Sequence, residues 1–197
     1  MSKKAVDVVL LPEEAVANKA IEANAKLVEN FSPEIVLNKK DCLPHISLAM
    51  GCIDEKDIAS IGEILQLLAK ENDLGSLTVS GIRITGTGSK TVSSFEIERT
   101  KQLQLLHEKV TEFLAPYLSY DVTADMLADE EVEHRTLQWI SSFREKSSYD
   151  NFSPHITIGY GEIEDRSFPL NFAASKLALC HLGNHCTCRK ILVSVEL

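Results

Sequence analysis

Apolar and polar residues follow two different periods along the chain. An apolar run over residues 6–11, which only Asp7 interrupts, ends at Pro12, and two glutamates follow. Proline before a helix and acidic residues in its first turn are both favourable, because the proline ring presets the helical backbone and the carboxylates interact with the helix dipole. The pattern therefore predicts an opening strand and a helix that runs to about Asn30.

Three later segments, 54–72, 100–118 and 129–146, also have helical spacing. The first of them has apolar residues at Ile58, Ile61, Ile64, Leu65 and Leu68. The third is more polar and is expected to form a more exposed helix.

Strand patterns separate these helices, at 44–50, 76–85, 91–98 and 154–160. Residues 176–197 are predicted to form two closing strands around a turn at Gly183-Asn184. Strands that form hairpins and are mixed with helices favour the α+β class, with antiparallel sheets packed under helices.

Length and composition are those of a globular protein. The chain has 197 residues, 44% of them apolar, which suffices for one domain or two fused half-domains.

Two lysines near the N-terminus precede an apolar run, as in a signal peptide, but Asp7 and Pro12 interrupt that run. No stretch approaches the roughly 18 apolar residues that cross a bilayer. We expect a cytoplasmic protein without membrane contact, and its five cysteines are expected to be reduced thiols.

The net charge of −9 argues against binding long nucleic acids through a broad basic surface. A nucleic-acid substrate is therefore expected to be short or bound locally.

One short motif occurs twice: LPHISLAM at 43–50 and SPHITIGY at 153–160. Side chains two residues apart in a strand share a face, so each copy predicts one imidazole beside one hydroxyl. The pairs are His45 with Ser47 and His155 with Thr157. A single such motif is more often structural than catalytic, but two copies are expected to meet around one small anion. One imidazole would remove a proton from the attacking oxygen, the other would protonate the leaving oxygen, and the hydroxyls would bind phosphate oxygens.

These two motifs resemble the paired His-x-Ser/Thr motifs of the two-histidine phosphoesterase superfamily, which includes 2',5' RNA ligase-like proteins and 2',3'-cyclic nucleotide phosphodiesterases. The resemblance implies one bilobal α+β domain over residues 1–197, with two antiparallel sheets related by a pseudo-twofold axis, helices on their outer faces and a central cleft. One motif is expected in each lobe, at 44–48 and 154–158. Where RNA ligase-like members often carry arginine, five residues after the second motif histidine, this chain has Tyr160.

The same resemblance implies phosphodiester chemistry without metal or cofactor, with catalytic His45 and His155 and phosphate-binding Ser47 and Thr157. The expected substrate is a nucleotide or short RNA with a terminal 2',3'-cyclic phosphate or a 2',5' linkage, which the protein, acting as a monomer, would hydrolyse or reversibly ligate. The alternative is a nucleotide-binding or RNA-binding module that keeps the cleft without catalysis.

We predict that the nearest ring nitrogens of the two histidines lie about 5–8 Å apart, because two hydrogen bonds and one phosphate must fit between them.

Residues before the two motifs are candidates for substrate contact. Lys39 and Lys40 are expected to meet phosphate, and Tyr149 or Phe152 to stack on a base. Exposed lysines and a loop aromatic without function are the alternative.

Three further patterns have simpler explanations. A two-residue turn in the C-terminal hairpin would place His181, Cys186 and Cys188 together, but these give only three of the four ligands of a structural zinc site. The glycine-rich segment 81–91 lacks the Gly-Lys-Ser/Thr of a phosphate loop and predicts a hairpin turn. The acidic residues over 129–133 are expected to form the solvated first turn of a helix, although they could hold a divalent ion.

Overall fold

The computed structural model of the chain describes residues 2–87, 90–165 and 167–197. Its eight strands are β1 Lys3–Pro12, β2 Ile46–Asp54, β3 Leu77–Thr87, β4 Lys90–Ile97, β5 His155–Tyr160, β6 Leu170–Phe172, β7 Ala174–Leu182 and β8 Cys188–Glu196. Its four α-helices are α1 Glu14–Asn30, α2 Ile58–Glu71, α3 Lys101–Leu114 and α4 His134–Ser147. Among the described residues, no helix is long and apolar enough to span a membrane.

The strands form two antiparallel sheets of four, which confirms the predicted fold class. The first sheet has the order β2-β1-β7-β8 and the second has the order β5-β4-β3-β6. The two motif strands, β2 and β5, occupy corresponding edge positions, each paired antiparallel with the next strand of its own sheet. The repeat in the sequence thus corresponds to a repeat in the architecture.

One hydrophobic core extends through both sheets and anchors the motif strands. Four of its fully buried residues come from the two motifs: Ile46, Leu48, Ile156 and Ile158. Burying each such side chain stabilises the fold by about 1.5–3 kcal/mol. The polar motif residues between them are only partly buried, so the predicted alternation of the two strands is confirmed.

Helix α1 connects the two lobes, because it follows β1 of the first sheet and packs on β5 of the second. Buried Asn24 donates to the carbonyls of Ile35 and Ile158, at 2.8 and 2.7 Å, and accepts from the Leu37 N–H at 2.8 Å. Each of these groups would otherwise be buried without a partner, which costs about 1–3 kcal/mol. Asn24 therefore fixes the end of the second motif strand relative to the chain that leads into the first.

The C-terminal hairpin differs from its prediction. β7 ends at Leu182, which pairs with Cys188, and the register places His181 opposite Lys190. The connection spans residues 183–187 and includes a 3-10 turn, so the predicted two-residue turn is wrong. His181 and Cys186 are not paired, and the cysteine-histidine cluster suggested by a short turn does not form.

The expectation that every cysteine is a free thiol is also wrong. Cys180 and Cys188, on the neighbouring strands β7 and β8, form a disulfide, with Cα atoms 5.6 Å apart. Register shifts in this strand pair bring together two side chains that are eight residues apart in sequence. Cys42, Cys52 and Cys186 are free thiols.

Two other turn predictions have different outcomes. Strands β3 and β4 pair as expected, but Gly88 and Ser89 of the predicted hairpin turn lie outside the described residues. The acidic segment precedes α4 and is not its first turn, because that helix begins only at His134. Asp129 instead accepts from Arg189 and from the Asn184 N–H, at 2.9 and 2.7 Å. These bonds hold the acidic segment against the β7–β8 connection.

Candidate active site

A cleft of about 530 Å³ lies between the two sheets and is open to solvent on one side. Both copies of the repeated motif line it, with additional walls from β3, from α4 and from the β7–β8 connection. Its polar and aromatic lining residues include His45, Ser47, Arg83, Ser94, Arg135, Trp139, Lys146, Phe152, His155, Thr157, Tyr160 and His185. The structure thus brings both predicted histidines and both predicted hydroxyls to one cavity.

The two imidazoles are anchored in the same way. His45 Nδ1 donates to the carbonyl of Leu43 at 2.7 Å, and His155 Nδ1 donates to the carbonyl of Ser153 at 2.8 Å. A carbonyl only accepts, so this contact places the proton of each neutral ring on Nδ1 and leaves the lone pair on Nε2. Each histidine therefore presents a proton acceptor from an equivalent position in its own lobe.

Burial lowers the pKa of both imidazoles, since the charged form loses hydration. For His45 the hydrogen bond to Leu43 partly offsets this effect. For His155 burial is again the largest cause, the bond to Ser153 opposes it, and the positive charges of Arg83 and protonated His45 lower the pKa further, to about 4. Both rings are neutral at pH 7 in the empty cleft, and an anion between them would favour their protonated forms.

A row of polar side chains crosses the second sheet toward the cleft. In the strand register, Arg83 of β3 is opposite Ser94 of β4, and Ser94 is opposite Thr157 of β5. Side chains directly opposite in adjacent strands share a face, so a guanidinium and two hydroxyls line one wall. Arg83 Nη1 donates to the hydroxyl of Ser153, while its buried Nε has no partner among the described residues. This wall offers the donors that suit the oxygens of a phosphate.

Sequence reasoning missed Arg83, because nothing in the local pattern of 81–91 distinguishes it from any other exposed strand cation. Only the pairing of β3 with β4, and of β4 with β5, places it beside the second motif. It is a cation beside the second motif, in a chain that has Tyr160 five residues after the histidine of that motif.

Helix α4 supplies another wall that the sequence did not reveal. Arg135, Trp139 and Lys146 all line the cleft, and the Trp139 side chain is 47% exposed. Positions 135, 139 and 146 fall on one helical face. The sequence pattern predicted an exposed helix here. A tryptophan on the polar face of such a helix is the feature of the sequence that could have indicated a binding surface.

The substrate-contact candidates are placed differently from one another. Lys39 bonds to Glu14 at 2.6 Å on the exposed surface, and neither it nor Lys40 is among the residues that line the cleft. Tyr149 also lies outside the lining. Phe152 does line the cleft, but its ring is 4% exposed and is stacked on His107, with ring centroids 4.0 Å apart. Of the four candidates that precede the two motifs, only Phe152 therefore lines the cleft.

His107 links the first motif strand to the segment that leads into the second motif. Its Nδ1 donates to the carbonyl of Leu48 at 2.7 Å, and its Nε2 accepts from the Tyr149 N–H at 2.8 Å. Burial lowers the pKa of His107, with the bond to Leu48 opposing this effect. Protonation would remove the acceptor that Tyr149 needs, so the neutral ring is the structural form.

His107→Ala is expected to lower the free energy of unfolding by about 2–4 kcal/mol, because two buried backbone groups lose their partners. The pKa of His107 is lower in the folded protein than in the unfolded chain. The contribution of its ring to the free energy of unfolding is therefore complete above the unfolded pKa of 6.5 and is lost as the pH falls below that value. Urea unfolding at pH 7.5 and pH 5 measures both effects. An equal loss at both pH values would contradict the assignment of a neutral ring.

The rim of the cleft holds one group of potential metal ligands among the described residues. One atom from each of Glu34, Glu133 and His185 lies within 4.8 Å of the others. Lys90 already pairs with Glu34, and the Tyr160 hydroxyl is 3.1 Å from His185 Nδ1. These contacts tie the β7–β8 connection to the second lobe at the mouth of the cleft.

Two antiparallel sheets, each with one histidine motif on an edge strand beside a shared cleft, define a bilobal α+β fold. No family model matches the chain, and no curated protein sequence matches it. Among solved structures, the chain is similar to E. coli LigT. The LigT complex with phosphate covers 100% of this chain and 99% of its own, at 12% identity and a TM-score of 0.51.

Two further structures give the same result. The complex of E. coli LigT with 3'-AMP is 16% identical, covers 100% of this chain and 99% of its own, and has a TM-score of 0.50. A crystal structure of a phosphoesterase is 13% identical, covers 98% of each chain and also has a TM-score of 0.50. Similarity at such low identity establishes the fold, and it confirms the architecture implied by the resemblance of the two motifs.

Proposed function

We propose that the chain is a phosphoesterase in which His45 and His155 act as a general acid/base pair. The observation that carries this proposal is the equivalent anchoring of the two imidazoles, each held through Nδ1 by the carbonyl two residues earlier, beside one cleft. A binding module would not need two titratable groups with matched tautomers. The proposed substrate is a 2',3'-cyclic phosphate or a 2',5' phosphodiester of a nucleotide or short RNA end.

The proposed hydrolysis requires two proton transfers. One Nε2 takes a proton from water as the water oxygen bonds to phosphorus, and the other imidazole gives a proton to the ribose oxygen as its bond to phosphorus breaks. In the ligation reaction a ribose hydroxyl would replace water as the attacking group: one Nε2 would take its proton, and the other imidazole would protonate the ribose oxygen that leaves the cyclic phosphate. Ser47 and Thr157 would donate to non-bridging oxygens, and Arg83 would stabilise the negative charge that they gain in the transition state.

The nucleotide part of the proposal has separate support. E. coli LigT, which shares this fold, has been crystallised with phosphate and with 3'-AMP. In this chain, the walls of the cleft combine arginine and lysine side chains with an exposed tryptophan, which suits a phosphate and a base.

The decisive experiment is incubation with a panel of 2',3'-cyclic nucleotides and 2',5'-linked oligonucleotides in the presence of EDTA. We expect hydrolysis of at least one member, unchanged by the chelator, because the proposed chemistry uses only protein side chains. Binding without turnover would favour the alternative of a nucleotide-binding module. Loss of turnover in EDTA, restored by a divalent ion, would contradict the metal-independent mechanism.

The pH dependence of kcat/KM should be bell-shaped, with its maximum on the acid side of neutrality. The pKa of His155 is lowered to about 4 and that of His45 is lowered from 6.5. One ring must be neutral and the other protonated, so the productive form is most abundant between the His155 pKa of about 4 and the lowered pKa of His45, which lies below 6.5. Activity that rises steadily to pH 9 would contradict a required imidazolium.

The α4 wall is proposed to bind nucleotides that flank the reacting phosphate. Trp139 offers an exposed ring for stacking, and Arg135 and Lys146 lie on the same helical face and line the same cleft. Stacking on an aromatic side chain contributes about 1–3 kcal/mol per base, whatever the base. The wall would therefore favour oligonucleotide ends over single nucleotides.

Trp139→Ala is expected to lower kcat/KM about 5- to 100-fold for a short oligonucleotide with a terminal cyclic phosphate, mainly through KM. A cyclic mononucleotide should be affected much less, and Trp139→Phe should retain most of the activity. Phe113→Ala is the matched control, because Phe113 is an exposed aromatic residue on α3 and does not line the cleft. Equal losses on both substrates would contradict a flanking-nucleotide site.

A further inference from the structure

A buried carboxyl lies beside the first motif histidine and takes no part in the chemistry described above. Asp7, in the middle of β1, is completely buried, and its Oδ2 is 3.8 Å from His45 Nε2. Neither carboxyl oxygen has a hydrogen-bond partner among the described residues. A carboxyl in this state requires an explanation, because burying it without partners costs several kcal/mol or forces it to be neutral.

The surroundings of Asp7 are almost entirely apolar. Ala5 and Val9, two residues away on the same face of β1, are fully buried in hydrophobic clusters. The ionisable or polar groups that face Asp7 are His45, directly before β2, Ser47, in β2, and Cys186, in the β7–β8 connection. The described residues provide no cation at Asp7 other than a protonated His45.

Burial raises the pKa of the Asp7 carboxyl well above its usual range, and the nearby Ser47 hydroxyl only partly offsets this. With a neutral His45 beside it, the carboxyl therefore holds its proton. Because His45 Nδ1 already donates to Leu43, the atom that faces Asp7 is the unprotonated Nε2.

We propose that Asp7 is the proton partner of His45, and that it makes His45 the general acid of the reaction. This inference rests on the phosphoesterase function proposed above. Asp7 and His45 share one proton: when it moves from the carboxyl to Nε2, a carboxylate and an imidazolium form side by side. Each charge stabilises the other, so the protonated form of His45 becomes available where burial alone would disfavour it.

The second lobe has a cation near its motif histidine, where the first lobe has the buried carboxyl. His155 has Arg83 nearby, whose positive charge disfavours its protonated form, together with His45 across the cleft. One lobe thus favours a protonated imidazole and the other favours a neutral one. This difference assigns the base role to His155.

The proton balance of one turnover follows from that assignment. When the shared proton lies on His45 Nε2, the Asp7 carboxylate 3.8 Å away stabilises the imidazolium by its charge, and Nε2 gives that proton to the leaving ribose oxygen as its bond to phosphorus breaks. The attacking water gives its proton to His155 as its oxygen bonds to phosphorus. After product release, His155 returns a proton to solvent and the Asp7–His45 pair takes one up.

The test is an NMR titration of the His45 ring in the wild-type protein and in Asp7→Asn. The amide is nearly isosteric with a neutral carboxyl but cannot ionise, so we expect the His45 midpoint to fall by about one pH unit or more. The high-pH limb of kcat/KM for 2',3'-cyclic AMP should move down by the same amount. Asp54→Asn, at the far end of β2 and outside the cleft lining, is the control and should leave both unchanged.

Several results would overturn the inference. An unchanged His45 midpoint in Asp7→Asn would show that the two groups are not coupled, and a shift of the low-pH limb alone would assign His45 as the base. If the variant does not fold, the wild-type carboxyl signal of Asp7 decides: it should change together with the His45 ring, and ordinary titration near pH 4 would contradict the proposal. The ring titration does not depend on turnover, so it remains informative if the proposed activity itself is not found.

Discussion

His45→Ala and His155→Ala are each expected to lower kcat/KM by about 10²–10⁴-fold on the substrate identified by the panel. Each substitution removes one of two proton transfers that occur around the same phosphate. Because the two imidazoles act as one unit, the double variant should be little worse than the more damaged single variant. Steady-state kinetics at pH 6 measures all three.

Binding and folding provide the controls for these variants. Both should retain the wild-type melting temperature to within a few degrees, and both should still bind 3'-AMP, because the hydroxyls and Arg83 remain. His134→Ala is the matched control, since His134 is exposed and does not line the cleft. Full activity in either single variant would exclude the acid/base pair.

The fold and the centre of the site could be predicted because both depend on local patterns. Strand alternation places a histidine and a hydroxyl on the same face within three residues, and the apolar residues between them must point into the core. Ile46 and Ile156 are fully buried, and His45 and His155 are not. The repeat then indicated two such strands, and the helices followed from apolar spacing and from Pro12.

The remaining site residues depend on contacts between distant parts of the chain. Arg83 reaches the second motif only through the pairing of β3, β4 and β5, and Asp7 reaches His45 only through the pairing of β1 with β2. In the sequence, Asp7 was merely a residue that interrupts an apolar run. A charge within such a run is costly, and this cost was the signal that could have marked it as functional.

The predictions for the C-terminal hairpin were wrong for a related reason. A Gly-Asn pair is a common two-residue turn, but here the connection has five residues and includes backbone with positive φ at His185 and Cys186. Asn184 and His185 both bond to Thr136 of α4, and the Asn184 N–H bonds to Asp129. These contacts come from segments about 50 residues away, and no local rule for turns includes them.

Arg83→Ala is expected to lower kcat/KM by about 10²–10³-fold, the loss typical when one donor to the charge that develops in the transition state is removed. The strand register places the guanidinium beside the second motif, in a row with Ser94 and Thr157, and its charge acts on His155. Arg83→Lys should recover only part of the loss, because an ammonium keeps the charge but not the planar fork that binds two phosphate oxygens. Inhibition by inorganic phosphate should weaken in the same order.

Two control variants separate the charge of Arg83 from its structural contact. Ser153→Ala removes the hydrogen bond from Arg83 but keeps the guanidinium and the backbone carbonyl that anchors His155, so it should cost less than tenfold. Arg144→Ala removes an exposed arginine of α4 that does not line the cleft, and it should leave kcat/KM unchanged. If Ser153→Ala were as damaging as Arg83→Ala, the role of Arg83 would be to hold the loop before His155, and the phosphate would have to be bound by the two hydroxyls alone.

Removing Arg83 also removes a positive charge beside His155, so the pKa of His155 should rise. The low-pH limb of the Arg83→Ala rate profile should therefore move to a higher pH than its wild-type position near pH 4. A loop-positioning role alone would not move that limb.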